Sequence, residues 1–422
     1  MSTTTPSPET LHHHAQGMSG RDPHEAHRVA TPLELLFDLT FATTFGFAAA
    51  QLAHVMAEGH YAVALIGFGF ATFAICWAWI NFSWFASAYD TDDWIFRVVT
   101  MVQMIGVLVL AIGLPRMFKS IDQGAHLDSS IMVLGYVIMR GAMIFQWLRA
   151  ARQDPARRRT CLTYAVAISI AQVGWVAQLI ADFSVDTSIM LSCLLALIEM
   201  SGPVIAEGKD GGTPWHAHHI AERYSLFAII ALGEGVVGTV ATLSAVVEEQ
   251  GWTMDAALVG IAGMGLTFGI WWVYYLLPSA QVLHANRNRA FGWGYGQIVI
   301  IAAIVATGAG LHVAAYFIHH KTQIGPVVTL LSTAIPVSVF LGSIYAIHYH
   351  LLRRFNAFQA WLLFASAAVV LVAVLAALSG VDMAVCLVIL MLAPAVTVVG
   401  YEILGHRHEA EALKSAAQRT GP

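Results

Sequence analysis

Twelve apolar runs of about twenty residues set what this chain can fold into. Their approximate limits are 32–54, 62–85, 95–117, 129–148, 161–180, 187–206, 224–246, 255–277, 295–318, 327–349, 357–379 and 383–404. A bilayer core needs about 20 apolar residues per helix. In lipid, backbone groups must be satisfied within the segment, so spanning runs of this kind are helices. Pro155, Gly211-Gly212, Pro278, Gly325-Pro326 and Gly380 fall in the breaks. Only residues 379–382 divide the last two runs. Fusing those runs would leave eleven spans and move the C-terminus across the membrane.

Composition agrees with the runs. Of 422 residues 58% are hydrophobic and 11% are charged, against about a quarter charged in a soluble domain. Such a chain cannot cover a water-facing surface of its own size. Soluble enzyme, disordered and fibrous classes are excluded. The expected fold class is all-α, a polytopic transmembrane helical bundle whose partner is the lipid bilayer. Net charge is −5, and no dense basic patch of the kind DNA binders need is present, so no nucleic acid is expected. Cys76, Cys161, Cys193 and Cys386 lie in or beside apolar runs without metal-binding spacing. They are expected as small core residues. No metal or cofactor is expected. The first 31 residues hold no apolar stretch of a cleavable signal peptide, so the first span would direct insertion.

Lys and Arg sort by side. Seventeen of 21 fall in the tails and loops on the N-terminal side, five of them in the loop from Arg149 to Arg159. Arg116, Lys119 and Lys321 fall on the other side, and Arg140 lies inside the fourth run. The positive-inside rule then places both termini in the cytoplasm. The expected division is a largely disordered tail over 1–31, a first six-helix unit over 32–206 and a linker over 207–223. A second six-helix unit over 224–404 and a tail over 405–422 complete it.

The two halves echo each other. Span one opens with Glu34, Phe37 and Asp38, and span seven with Glu222, Tyr224 and Phe227. Span two ends in Trp77, Trp79, Phe82, Trp84 and Phe85, and span eight in Trp271, Trp272, Tyr274 and Tyr275. Arg97 precedes span three and Arg289 span nine. Six spans per half is even, so two repeats would share one orientation, as in transporters built from parallel repeats. Aromatic belts recurring at membrane edges are the alternative.

The same residues carry a family resemblance. The run from Glu34 through Asp38 to Phe41 resembles the first-helix signature of the low temperature requirement protein A (LtrA) family. Asp90-Thr91-Asp92-Asp93, after an aromatic helix end, resembles its second motif. The run from Glu222 to Glu234 resembles its third. Together they extend from about residue 28 to 300 in the family's order. Leu36 departs from the family's usual second Phe. The resemblance implies a bacterial inner-membrane protein linked by name to growth in the cold. It implies no substrate and no catalytic residues.

Charges within the spans are the candidate functional residues, since each costs about 2.5–3.5 kcal/mol at the bilayer centre. Glu34 and Asp38 are four apart and share a helix face. Glu234 lies near the midplane of span seven, Glu199 in the sixth span and Arg140 in the fourth, where it is the only clear intramembrane cation. A polar cluster on a proton or cation path is one reading, because desolvated carboxyls titrate nearer neutrality. The other is structural: Arg140 pairs with Asp38 or Glu199, and Glu34 and Glu222 cap helix starts.

Further features have two readings each. Asp90, Asp92 and Asp93 would hold a divalent cation or form a solvated loop. The arginine-rich loop would bind anionic headgroups or serve as a topology anchor. His216, His218 and His219 would sense cytoplasmic pH or form a weak metal site, and His12-His13-His14 would bind metal or lie in a disordered tail. His312, His348 and His350 are expected as satisfied interior histidines. Gly265-x-x-x-Gly269 permits close helix contact. Gly233, Gly235 and Gly238 would loosen span seven or pack tightly.

The expected function is a proton- or cation-coupled secondary transporter of an unknown small solute or ion, with homodimerisation left open. An ion channel is the alternative. Phe37-Asp38 loosely resembles the Phe-Ser-Asp first helix of a six-span-repeat potassium channel family, but the Ser is absent and no Thr-Val-Gly-Tyr-Gly filter occurs. No H-E-x-x-H, G-x-S-x-G or phosphate loop occurs, so an enzyme is not expected. A non-transporting scaffold or sensor supporting growth in the cold is a further alternative.

Overall fold

The computed structural model describes residues 17–23, 25, 28–124, 126–181, 183–276, 279–353 and 357–405. His12–His14, Pro278 and most of the C-terminal tail lie outside them.

The described residues form an all-helical bundle with twelve helices long and apolar enough to cross a membrane. The first half comprises α1 (Pro32–Ala57), α2 (Tyr61–Tyr89), α3 (Trp94–Gln123), α4 (Ser130–Gln153), α5 (Arg158–Ala181) and α6 (Val185–Glu207). The second comprises α7 (Ala217–Gln250), α8 (Met254–Tyr275), the short α9 (Ser279–Ala285), α10 (Ala290–Ile318), α11 (Pro326–Leu352), α12 (Ala357–Leu378) and α13 (Met383–Gly400). Each expected run is a helix, and α12 and α13 are separate. The largest difference is at α7, which begins at Ala217 rather than near residue 224. Its first two turns are polar in sequence yet mostly buried, so hydropathy does not reveal them.

Local signals set the helix starts. Thr31 and Glu34 form a reciprocal capping box at α1, with Pro32 in the first turn. The Phe96 N–H donates to Asp93 Oδ1 over 2.8 Å at α3, and the His219 N–H donates to His216 Nδ1 over 3.2 Å at α7. Each such acceptor satisfies a backbone donor that the first turn leaves unpaired.

Within lipid, helices associate by close packing rather than by the hydrophobic effect, so small residues mark the contacts. Gly106 of α3 lies against Gly135 and Met139 of α4, and Gly308 of α10 against the Glu234 backbone of α7. Gly265 and Gly269 of α8 meet Met391 and Pro394 of α13, so that pair serves a contact within the bundle. Helix α10 is central, with 78% of its most apolar stretch buried, against 22% for α6 and α12 at the periphery. Helix α1 packs on α2, α3, α7 and α10, which places the acids of α1 at the seam between halves.

Residues before α1 are also packed. The Arg21 N–H donates to Ala88 O at 2.8 Å, Arg28 donates to Ala86 O at 3.1 Å, and Met18 is buried. The described part of this segment therefore lies against the N-terminal-side ends of the bundle.

Candidate functional site

The helical repeat puts Glu34 and Asp38 on one face of α1, and His219 and Arg223 on one face of α7. The four side chains meet in the seam, all with 0% exposure. Arg223 Nη2 donates to Asp38 Oδ1 at 2.6 Å and to Ser83 Oγ of α2 at 3.2 Å. Trp79 Nε1 of α2 donates to the same Asp38 oxygen at 2.7 Å. Arg223 Nη1 stands 3.5 Å from Glu34 Oε1, and His219 Nε2 stands 3.2 Å from it. Aromatic rings seal the cluster: Trp79 stacks on Phe227 at 4.1 Å and meets Tyr224 edge-on at 4.9 Å.

Arg223, expected in the linker over 207–223, lies within α7 because that helix starts at Ala217. Of the two partners expected for Arg140, the structure selects Glu199. Asp38 pairs with Arg223, whereas Arg140 pairs with Glu199 at 2.9 Å.

The Arg140 pair is a separate network in the first half. The Tyr136 hydroxyl donates to Glu199 Oε2 and accepts from Arg140 Nη2 at 2.6 Å. Gln172 Nε2 and Trp175 Nε1 of α5 donate to Glu199 Oε1 at 3.2 and 3.1 Å. Arg140 Nε and Nη1 and Gln172 Oε1 are buried without a hydrogen-bonding protein atom among the described residues.

Glu234 stands apart from both networks. It lies eleven residues beyond Arg223, roughly 16 Å along α7 at 1.5 Å per residue. Its Oε1 faces Gly46 of α1, where an added Cβ would come within 3.5 Å. It is 7% exposed, and no ion pair or side-chain hydrogen bond is assigned to it among the described residues. Glu222 is the sixth residue of α7, so it does not cap that helix's start. Its carboxylate instead accepts from the Ala30 backbone. Glu34, by contrast, does cap α1.

The Asp90–Asp93 segment is a set of ion pairs. Asp90 is buried 3.7 Å from Arg28, and burial, outweighing Arg28, pushes its carboxyl up to about 6. Asp92 holds Arg97 through two bonds of 2.9 and 2.8 Å. Asp93 pairs with Arg149 while capping α3. Arg149, read from sequence as a loop residue, is thus buried in α4. No group of three or more His, Cys, Asp or Glu side chains is placed to share a metal among the described residues. His216 Nε2 donates to Glu25 O over 2.9 Å, and burial holds its ring below the ordinary histidine value.

None of the three glycines breaks α7, and two of them pack. The helix runs unbroken from Ala217 to Gln250, with Gly235 against Thr267 and Gly238 against Gly308. Of the interior histidines, His350 meets the Arg289 carbonyl at 3.2 Å. Cys193 departs from its expected core position and is exposed, whereas Cys76, Cys161 and Cys386 are buried.

The sequence reading missed Arg223, His219 and Trp79 as members of one site. The four-residue spacing of His219 and Arg223, matching that of Glu34 and Asp38, is the signal that could have paired them.

Comparisons with known proteins agree with this architecture. An uncharacterized protein of Rhizobium meliloti (strain 1021) is 24% identical over 313 residues, covering 69% of this chain and 70% of its own. No solved structure matches. The family described as bacterial low temperature requirement A protein (LtrA) matches residues 29–394, well past the C-terminal limit of the sequence motifs. The chain therefore belongs to the LtrA family and is a multi-pass helical membrane protein.

Proposed function

We propose that this protein is a proton- or cation-coupled secondary transporter of the bacterial inner membrane, with both termini cytoplasmic and no enzymatic activity. The observation that carries the reading is the isolation of Glu234. Asp38 and Glu199 each lie within 3 Å of an arginine nitrogen, so their charges are held in place. Glu234 has no such partner among the described residues, and an unpaired carboxylate costs about 2.5–3.5 kcal/mol at the bilayer centre by insertion scales. Taking up a proton or a small cation removes that charge. Its place between α1 and α10, two helices at the seam, would let occupancy bias how the halves pack. The roles expected of Asp38, Glu34 and Glu222 are then positional: they hold helices in register while Glu234 carries the coupling ion. A parallel pair of six-helix repeats fits this reading, since α1 packs on α2 and α3 as α7 packs on α8 and α10.

The test is electrical. The purified protein is reconstituted in proteoliposomes and small solutes are screened by transient currents on a supported membrane under a pH gradient. Saturable, solute-dependent currents that disappear in Glu234→Gln support the reading. Currents unchanged by that substitution sink the role of Glu234, and unitary currents in bilayer recordings would replace the transporter with a channel.

A further inference from the structure

The Arg140–Glu199 network lies between cavities placed on either side of it along the helices. A cavity of about 170 Å³ sits at the end of the bundle away from the N-terminus, lined in part by His126, Asp128, Gln178 and Ser188. It shares Leu127, Ser129, Val133 and Trp175 with a smaller one of about 40 Å³ that reaches Tyr136 and Ser192. On the other side of the network a third, of about 20 Å³, is walled by Trp84, Trp147, Tyr164 and Tyr295, with Asn81 and Pro203.

The order along each helix is the same. On α4, Val133 and Tyr136 line the upper cavities, Arg140 follows, and Trp147 lines the lower one. On α5 the order is Trp175, Gln172, Tyr164, and on α6 it is Ser192, Glu199, Pro203. On α2, Phe73 and Ala74 line the upper cavity and Ile80 and Asn81 the lower, with buried Trp77 between. One polar layer therefore lies between the two cavities that reach Val133 and the one that reaches Trp147.

That layer has unused binding capacity. Arg140 spends Nη2 on Tyr136 and Glu199, and its Nε and Nη1 are buried donors without a hydrogen-bonding protein partner. Gln172 Oε1 is a buried acceptor in the same condition. Leaving such groups unpaired costs about 1–3 kcal/mol each, more when charged. Their complement is a solute that brings both an acceptor and an N–H donor. The layer already pairs one arginine with one carboxylate, so a ligand of net charge would leave that charge buried and unbalanced.

We propose that the Tyr136–Arg140–Gln172–Glu199 layer is a solute-binding site, closed in this structure, for a small zwitterion of the α-amino-acid class. The carboxylate meets the Nε and Nη1 N–H groups of Arg140, and the ammonium meets Gln172 Oε1. Entry requires the helices around either cavity to part. The inference names the substrate class for the transport reading above, but binding itself needs no proton on Glu234.

The experiment is equilibrium binding to the full chain in nanodiscs, by calorimetry and tryptophan fluorescence. The probes are the twenty L-α-amino acids, with propionate and ethylamine as single-charge controls. Saturable binding of at least one net-neutral amino acid is expected, with the controls at least 10-fold weaker. Arg140→Lys should weaken binding at least 10-fold. Gln172→Leu leaves the ion pair intact and should do the same, which keeps the test valid if Arg140→Lys fails to fold. Glu234→Gln should bind normally, which separates this site from the coupling role. Absence of saturable binding by all twenty, or binding unchanged in Gln172→Leu, overturns the proposal, even if proton-coupled currents driven by another solute persist.

Discussion

Arg223 of α7 reaches across the seam between the two halves to Asp38 of α1, at 2.6 Å, with neither side chain exposed. The contact ties the opening turns of the first and seventh helices together. Removing one member of a buried pair leaves an uncompensated charge and costs about 3–5 kcal/mol. Arg223→Gln should therefore lower the unfolding temperature sharply, as read by fluorescence-detected melting in detergent. The double variant Arg223→Gln with Asp38→Asn should recover part of that loss. Equal destabilisation by the single and double variants would show that the pair does not act as a unit.

Glu234→Gln should behave in the opposite way. No partner is lost and the amide keeps the shape, so stability should stay within about 1 kcal/mol of the native chain. A melting shift as large as that of Arg223→Gln would mean that the carboxylate is held by contacts, and would argue against its carrying a mobile ion.

Asp90 predicts a pH dependence. Burial raises its carboxyl from 3.8 to about 6. A folded-state value above the unfolded one means that the protonated form favours folding. This stabilisation is complete below about pH 4 and is lost as pH rises through about 6. Above that range the buried charge works against the fold, by on the order of 3 kcal/mol at 1.36 kcal/mol per unit. Asp90→Asn should therefore gain stability relative to the native chain as pH rises from 4.5 to 7.5, and the gain should shrink toward acid. Melting curves across that range, with Glu34 left intact, check the slope.

Two glycines should respond differently to added carbon. At Gly308 a Cβ would stand 2.5 Å from the Glu234 backbone, so Gly308→Val should force α10 from α7. A loss of more than about 3 kcal/mol is expected, as for severe overpacking. At Gly233 nothing lies within 4 Å. Gly233→Ala should be neutral or stabilising by up to about 1 kcal/mol, the usual helix preference for alanine. Comparable losses at both positions would contradict the packing of α7 on α10.

The sequence by itself determined the spans. Twelve runs became twelve helices because bilayer thickness and backbone hydrogen bonding leave a long apolar run no other regular form. The capping box at Thr31 and Glu34 was equally local, since both residues lie within one turn. Hydropathy failed at α7, where His219 and Arg223 read as a linker but are buried. A polar residue can enter a helix interior when another helix supplies its partner, and that partner is fixed only by packing. Tertiary structure therefore decided that Arg223 neutralises Asp38, that Arg140 goes to Glu199, and that Glu234 is left alone. Span length is a property of one segment and its solvent, whereas each of these pairings depends on how two or more helices, far apart in the chain, come to lie side by side.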